Sequence, residues 1–158
     1  MKALGVDYGL KNIGLAVSDD TGIIAGCLGN IVNYGEMPTA KQIQNIIDLY
    51  KIDTVVLGYP YFFNKISLAV SDGSEEEPRE TLMQRKMNRL KTYLETEVKV
   101  KVDFWDESYS SKIVEKGLRG KALKRSDSEV ARFILQEYLD DQVLMKKIYG
   151  KNKKSSKK

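Results

Sequence analysis

The stretch "ALGVDYGLKNIGLAVSD", residues 3–19, contains two short apolar runs around a polar break, with an aspartate near the end of the first run and Tyr-Gly directly behind it. The apolar segments at 2–7 and 13–18 have the length and composition of strands, and the few residues between them allow only a turn. A third run, "GIIAGCLGNIV" at 22–32, follows another short turn at Asp19, Asp20 and Thr21. Three consecutive strands with short connections predict an antiparallel meander. Asp7 then leaves the first strand at its C-terminal end.

Beyond the meander the apolar period changes. After Pro38, Ile43, Ile46, Ile47 and Tyr50 recur at the i, i+3, i+4, i+7 positions of an amphipathic helix. The β-branched run "TVVLG" at 54–58 predicts a buried parallel strand, reached by a helical crossover. The polar, acidic stretch at 71–80 reads as a loop. A helix from about Arg79 to Thr96 gathers Met83, Met87, Leu90 and Leu94 on one face. "VKVKVDF", residues 98–104, alternates strictly and predicts a strand that buries Val98, Val100, Val102 and Phe104. It runs into "WDES", so Glu107 stands just past the end of that strand. A helix is expected from about Ser110 to Leu118. The last helix should start near Ser126, where Ser126 and Glu129 have the spacing of a capping box, and run to about Val143.

This order of elements describes an α/β protein, a mixed sheet with helices packed on its faces. Its parallel strands end at a common edge, where ligands usually collect. The expected organisation is one domain over residues 1–145, followed by a basic, disordered tail over 146–158. No apolar run approaches the roughly 20 residues of a membrane helix, and the N-terminus enters a strand pattern without a cleavage region, so a cytoplasmic protein with no membrane partner is expected.

Composition restricts the chemistry. The chain of 158 residues has no histidine, which removes the commonest general base, the commonest transition-metal ligand and the His-activated nucleophiles. Cys27 is the only cysteine, so neither an internal disulfide nor a multi-cysteine zinc site exists. Chemistry must rest on carboxylates, Lys, Tyr, Ser or a metal held by oxygen. Hard oxygen ligands favour Mg2+ or Mn2+.

The formal charge is +4, yet without the five lysines of "KNKKSSKK" the chain holds 21 basic against 22 acidic residues. A second basic cluster, "KIVEKGLRGKALKR" at 112–125, contains Lys112, Lys116, Arg119, Lys121, Lys124 and Arg125 against one acid. Both segments suit phosphate.

Three acids are positioned to converge. Asp7 and Glu107 leave strands at the same sheet edge if those strands are parallel neighbours, and Asp127 lies in the first turn of the last helix, where the helix dipole favours its ionised form. Like charges so close raise one another's pKa unless a cation relieves them. One or two Mg2+ or Mn2+ ions would do so and would support phosphodiester hydrolysis without histidine. Gly9 would let a backbone phosphate approach Asp7 closely.

The blocks "GVDYGLKNIGLAVSD", "VVLGYP", "DESYSS" and "DSEVARFILQEYLDD" resemble, in order, those of the YqgF/RuvX family. Its members are described as Holliday junction resolvases and as nucleases that mature the 5′ end of 16S ribosomal RNA. The resemblance implies an RNase H-like fold, with three antiparallel strands followed by two parallel ones in a five-stranded mixed sheet, helices on both faces and a metal-bound acidic triad. The triad falls on Asp7, Glu107 and Asp127. Asn12 and Ser108 stand where the family usually has arginine, which leaves Lys11 and the 112–125 cluster as the expected nucleic-acid contacts.

The expected substrate is structured RNA, specifically the precursor of 16S ribosomal RNA. The alternatives are branched DNA cut by a junction resolvase, and a nucleic-acid-binding module weak in catalysis. The sequence shows no clear dimer seam, so a monomer or weak homodimer is expected.

Overall fold

The computed structural model describes residues 1–60, 80–106 and 126–152. Five strands form one sheet: β1 (Ala3–Tyr8), β2 (Asn12–Ser18), β3 (Ala25–Val32), β4 (Thr54–Tyr59) and β5 (Lys101–Asp106). Their spatial order is β3-β2-β1-β4-β5. The first three pair antiparallel, and β1, β4 and β5 run parallel. This is the expected mixed sheet. The described helices are α1 (Glu36–Tyr50), α2 (Leu82–Tyr93) and α3 (Asp127–Asn152).

The strand period of two divides the side chains of β1 between two cores. Leu4, Val6 and Tyr8 join Ile13, Leu15, Val55 and Leu57 under α1 and α2, which contribute Ile43, Ile47, Met87 and Leu90. On the other face Ala3, Ala16, Ala25 and Val56 meet Ala131, Ile134, Leu135, Tyr138 and Leu139 of α3. That second face is built from small residues, and α3 lies almost on the backbone of the sheet. A Cβ on Gly5 would stand 2.7 Å from Leu135 Cβ and 2.9 Å from the Ala131 carbonyl oxygen.

Local chemistry sets the helix ends. Thr81 and Gln84 form a reciprocal capping box at the start of α2, with N–H···O distances of 3.2 and 2.9 Å. The buried Gln84 amide also donates to the Pro60 carbonyl at 3.2 Å, tying α2 to the end of β4. This cap starts the helix at Leu82, later than the sequence predicts. Ser126 serves α3 through its carbonyl, which accepts from the Glu129 and Val130 N–H groups at 3.0 and 3.3 Å. Its hydroxyl pairs with that of Ser128 at 3.0 Å instead of closing the predicted box.

Two boundaries differ further from expectation. Leu94–Val98 forms a π-helical turn that Lys99 ends in the left-handed region at φ 60°, so β5 begins at Lys101 and not at Val98. Val98 still packs against the core, but from a helical turn. Helix α3 continues past Val143 to Asn152, and its added turns expose Leu144, Met145, Ile148 and Tyr149. Among the described residues no helix is long and apolar enough to cross a membrane.

Candidate active site

Asp7, the penultimate residue of β1, is half-buried at the sheet edge where β1, β4 and β5 end. Its Cα partner across the antiparallel pair is Gly14 of β2. Residues directly opposed in such a pair point to the same face, with Cβ atoms about 5 Å apart. Asp7 shares parity with Ala3 and Gly5, and so faces α3.

Gly14 locates the second acid. A Cβ on Gly14 would lie 1.9 Å from the Asp127 carbonyl oxygen, 2.1 Å from the Asp127 carbonyl carbon and 2.7 Å from the Ser128 nitrogen. The first residue of α3 therefore rests on the backbone position opposite Asp7. The small residues below α3 allow this approach, and the helix places its positive N-terminal end beside Asp7 and Asp127 together.

Glu107 lies outside the described residues, as do Lys112, Lys116, Arg119, Lys121, Lys124 and Arg125. Asp106, the residue before Glu107, ends β5 with Tyr59 of β4 as its Cα partner. Among the described residues no group of three or more His, Cys, Asp or Glu side chains is placed to hold a metal. Asp7 and Asp127 lie on elements that meet at one edge, and carboxylate oxygens are donors of the kind that hard divalent cations take.

The turn between β1 and β2 is tight. A Cβ on Gly9 would meet the Asn12 carbonyl oxygen at 2.3 Å, and Lys11 is exposed two residues further on. Asn33, which carries no signal in the sequence, spans this turn. Its N–H donates to the Lys11 carbonyl at 2.9 Å, and its side-chain amide donates to the Gly9 carbonyl at 2.8 Å. Tyr8, which follows Asp7, is buried in the core under α1 and α2.

Further along α3, Trp105 Nε1 donates to Glu137 at 3.3 Å, and the Trp105 ring meets Tyr138 edge-on at 5.6 Å. The Tyr138 hydroxyl donates to Asp103, which also pairs with Lys101 at 3.1 Å. Burial pushes the Glu137 carboxyl up; the Trp105 hydrogen bond opposes this, and the charges of Asp106 and Asp140 reinforce it. Asp103 and Trp105 thus face α3, as Asp7 does.

A five-stranded mixed sheet of this order, with helices packed on both faces, is the RNase H-like fold. Thermus thermophilus RuvC bound to a Holliday junction superposes with a TM-score of 0.57 at 14% identity, covering 90% of this chain and 96% of that one. The fowlpox virus Holliday junction resolvase gives 0.52 at 14% identity, over 90% and 99%. At these identities the likeness concerns the fold.

The profile of the RuvX family, described as Holliday junction resolvase, matches residues 1–141, and the chain belongs to that family. A relative from Clostridium botulinum (strain Eklund 17B / Type B) is 32% identical over 146 residues, covering 89% of this chain and 97% of its own length. One from Geobacillus kaustophilus is 34% identical over 152 residues, covering 89% and 98%. Both carry the name "Putative pre-16S rRNA nuclease". The protein is accordingly a hydrolase, a nuclease of the RNase H-like fold, a group that generally relies on divalent metal ions.

Proposed function

We propose that the chain hydrolyses phosphodiester bonds in structured RNA, the 5′ region of precursor 16S ribosomal RNA, with Asp7, Glu107 and Asp127 holding one or two Mg2+ or Mn2+ ions. The observation that carries this reading is the seating of Asp127 on Gly14, directly across β1–β2 from Asp7. Glu107 lies outside the described residues and enters the proposed triad from the sequence block "DES" that runs out of β5. The bound cation supplies charge neutralisation to the phosphate and acidity to water.

The chain's own residues supply position. Asp7 and Asp127 fix oxygen donors on two rigid elements, a strand end and a helix start. Gly9 lets the β1–β2 turn close behind Asp7, since a Cβ there would meet the Asn12 carbonyl oxygen at 2.3 Å. Lys11 and the basic residues Lys112, Lys116, Arg119, Lys121, Lys124 and Arg125 contact neighbouring phosphates and orient the strand. The relatives at 32–34% identity, whose name refers to a ribosomal RNA precursor, favour RNA.

The family description favours branched DNA as a second reading. Symmetric junction cutting needs two active sites related by a two-fold axis, whereas single-strand trimming needs one. The proposed state is a cytoplasmic monomer or weak homodimer, which light scattering on a sizing column would check.

The test is cleavage of precursor 16S 5′ ends and of four-way DNA junctions by purified protein, with Mg2+, with Mn2+ and with chelator. Metal-dependent trimming of the RNA alone is expected. Paired symmetric cuts in the junction, with no RNA cleavage, would transfer the function to DNA. Cleavage that persists in chelator would remove the metal from the reading.

A further inference from the structure

Asn33, between β3 and α1, holds the β1–β2 turn from both ends. Its backbone N–H donates to the Lys11 carbonyl at 2.9 Å, and its Nδ2 donates to the Gly9 carbonyl at 2.8 Å. Its Oδ1 accepts twice from the start of α1, from the Gly35 N–H at 3.0 Å and from the Thr39 hydroxyl at 3.1 Å. Thr39 is fully buried, so the anchor is set in the core. An amide oxygen has two lone pairs, and both are used here, which fixes the amide's orientation toward Gly9.

The turn so held follows Asp7 by two residues and leads into the strand that carries Gly14. Gly9 is the tight point of the turn, since a Cβ there would stand 2.3 Å from the Asn12 carbonyl oxygen, while Leu10 and Lys11 are exposed and have no core to hold them. The direction of the whole turn is therefore set by what grips it from outside, and Asn33 grips both of its ends.

We propose that Asn33 is a positioning residue for this nuclease: by clamping Gly9 and Lys11 to the start of α1, it sets where the Asp7 carboxylate leaves β1 and where Lys11 meets a phosphate. The proposal rests on the nuclease reading above. Among the described residues Asn33 bonds to Gly9, Lys11, Gly35 and Thr39, and it acts through the turn. A displacement of about 1 Å at a reacting centre is enough to cost roughly 100-fold in rate.

The selective test is Asn33→Asp. The carboxylate keeps the acceptor role toward Gly35 and Thr39 and leaves the backbone bond to Lys11 intact, but it replaces a donor facing the Gly9 carbonyl with an anionic oxygen. Thr39→Val removes one anchor of Oδ1 and is the milder companion. Ile47→Val, in the buried half of α1 away from the turn, is the control for simple destabilisation.

Three quantities are read on each protein: the melting temperature, the Mn2+ concentration giving half-maximal cleavage with kcat and KM at saturation, and hydrogen exchange in the peptide spanning 7–14. Asn33→Asp should lower kcat by about 10- to 100-fold, raise the half-saturating Mn2+ several-fold and speed exchange in 7–14 while leaving the centre of α1 protected. Thr39→Val should shift the same readouts less, and Ile47→Val should lower only the melting temperature. Unchanged exchange in 7–14, or wild-type metal dependence in Asn33→Asp, would overturn the clamp. If the wild-type protein cleaves neither substrate with either metal, the nuclease reading fails, and the exchange comparison alone then decides the clamp.

Discussion

Gly14 stands directly across the β1–β2 pair from Asp7, and the volume its Cβ would fill is occupied by the carbonyl oxygen of Asp127, 1.9 Å from that position. Two acids from opposite ends of the sequence are thus joined through the absence of one side chain.

Gly14→Ala should therefore act on the site as well as on the fold. The obstruction is the helix backbone, which can yield only by moving the N-terminus of α3. Overpacking of this kind costs about 1–3 kcal/mol, and a shift of about 1 Å at Asp127 should lower cleavage roughly 100-fold. Gly58→Ala is the comparison: its Cβ would meet Ile134 Cδ1 at 2.6 Å, the movable end of a side chain. That variant should lose some stability and stay within a few-fold of wild-type activity. Denaturant melts and single-turnover rates on both proteins would check the difference, and equal activity losses would show that Asp127 is not held by Gly14.

Asp7→Asn, Glu107→Gln and Asp127→Asn each remove one anionic oxygen donor while conserving shape. Each should reduce cleavage by roughly 100-fold or more. Asp7 and Asp127 sit half-buried at an element end, so circular dichroism and melting temperature should remain close to wild type. Wild-type rates for Asp7→Asn in Mg2+ would defeat the proposed mechanism. Normal rates for Glu107→Gln alone would restrict the site to the two acids at β1 and α3.

The lysines of residues 153–158, four in number, follow the end of α3. If they neutralise phosphates, deleting them should reduce the slope of log K against log salt by about 0.7 to 0.9 for every phosphate released. The expected result is weaker binding at low salt, a shallower slope and an unchanged cut position. Fluorescence anisotropy across a salt series, paired with end-mapping of the product, separates the effects. A shifted cut would mean that the tail guides specificity.

Much of this architecture is legible because strand alternation is a local signal. Leu4, Val6 and Tyr8 oppose Gly5 and Asp7 along β1, and the same period in β4 fixes which residues meet which helix. Asp7 stands out because an acid at a strand end conflicts with burial. Its nearness to Asp127 is not readable as a distance, because that depends on how closely α3 approaches, and Gly5, Gly14 and Ala16 decide that only once the sheet exists. The start of β5 escapes the sequence because "VKVKV" keeps its alternation whether or not the first valine is in a strand; Lys99 enters the left-handed region without a glycine to announce it. The overrun of α3 escapes it because the helix there no longer covers the sheet: Leu144, Met145, Ile148 and Tyr149 are exposed, so no buried face marks where it ends. Asn33 gives no sign, since a polar residue in a loop is ordinary until its partners Gly9, Lys11, Gly35 and Thr39 are seen.

Glu137 offers a test of the electrostatics on the α3 side of the sheet. Its carboxyl is raised above the usual range, chiefly by burial, with Asp106 and Asp140 adding to the effect and the Trp105 indole opposing it. A carboxyl raised in the folded state binds its proton more tightly there than in the unfolded chain. Ionised Glu137 therefore costs stability at neutral pH, and that cost disappears as pH falls through the folded-state value toward the ordinary glutamate range. Glu137→Gln keeps an oxygen acceptor for Trp105 Nε1 and removes the charge. Its melting temperature should exceed that of wild type at about pH 7.5, with the difference shrinking as the pH is lowered toward about 4. Thermal melts of both proteins across that range would decide it; a variant less stable than wild type at neutral pH would mean that the hydrogen bond to the charged oxygen outweighs its burial.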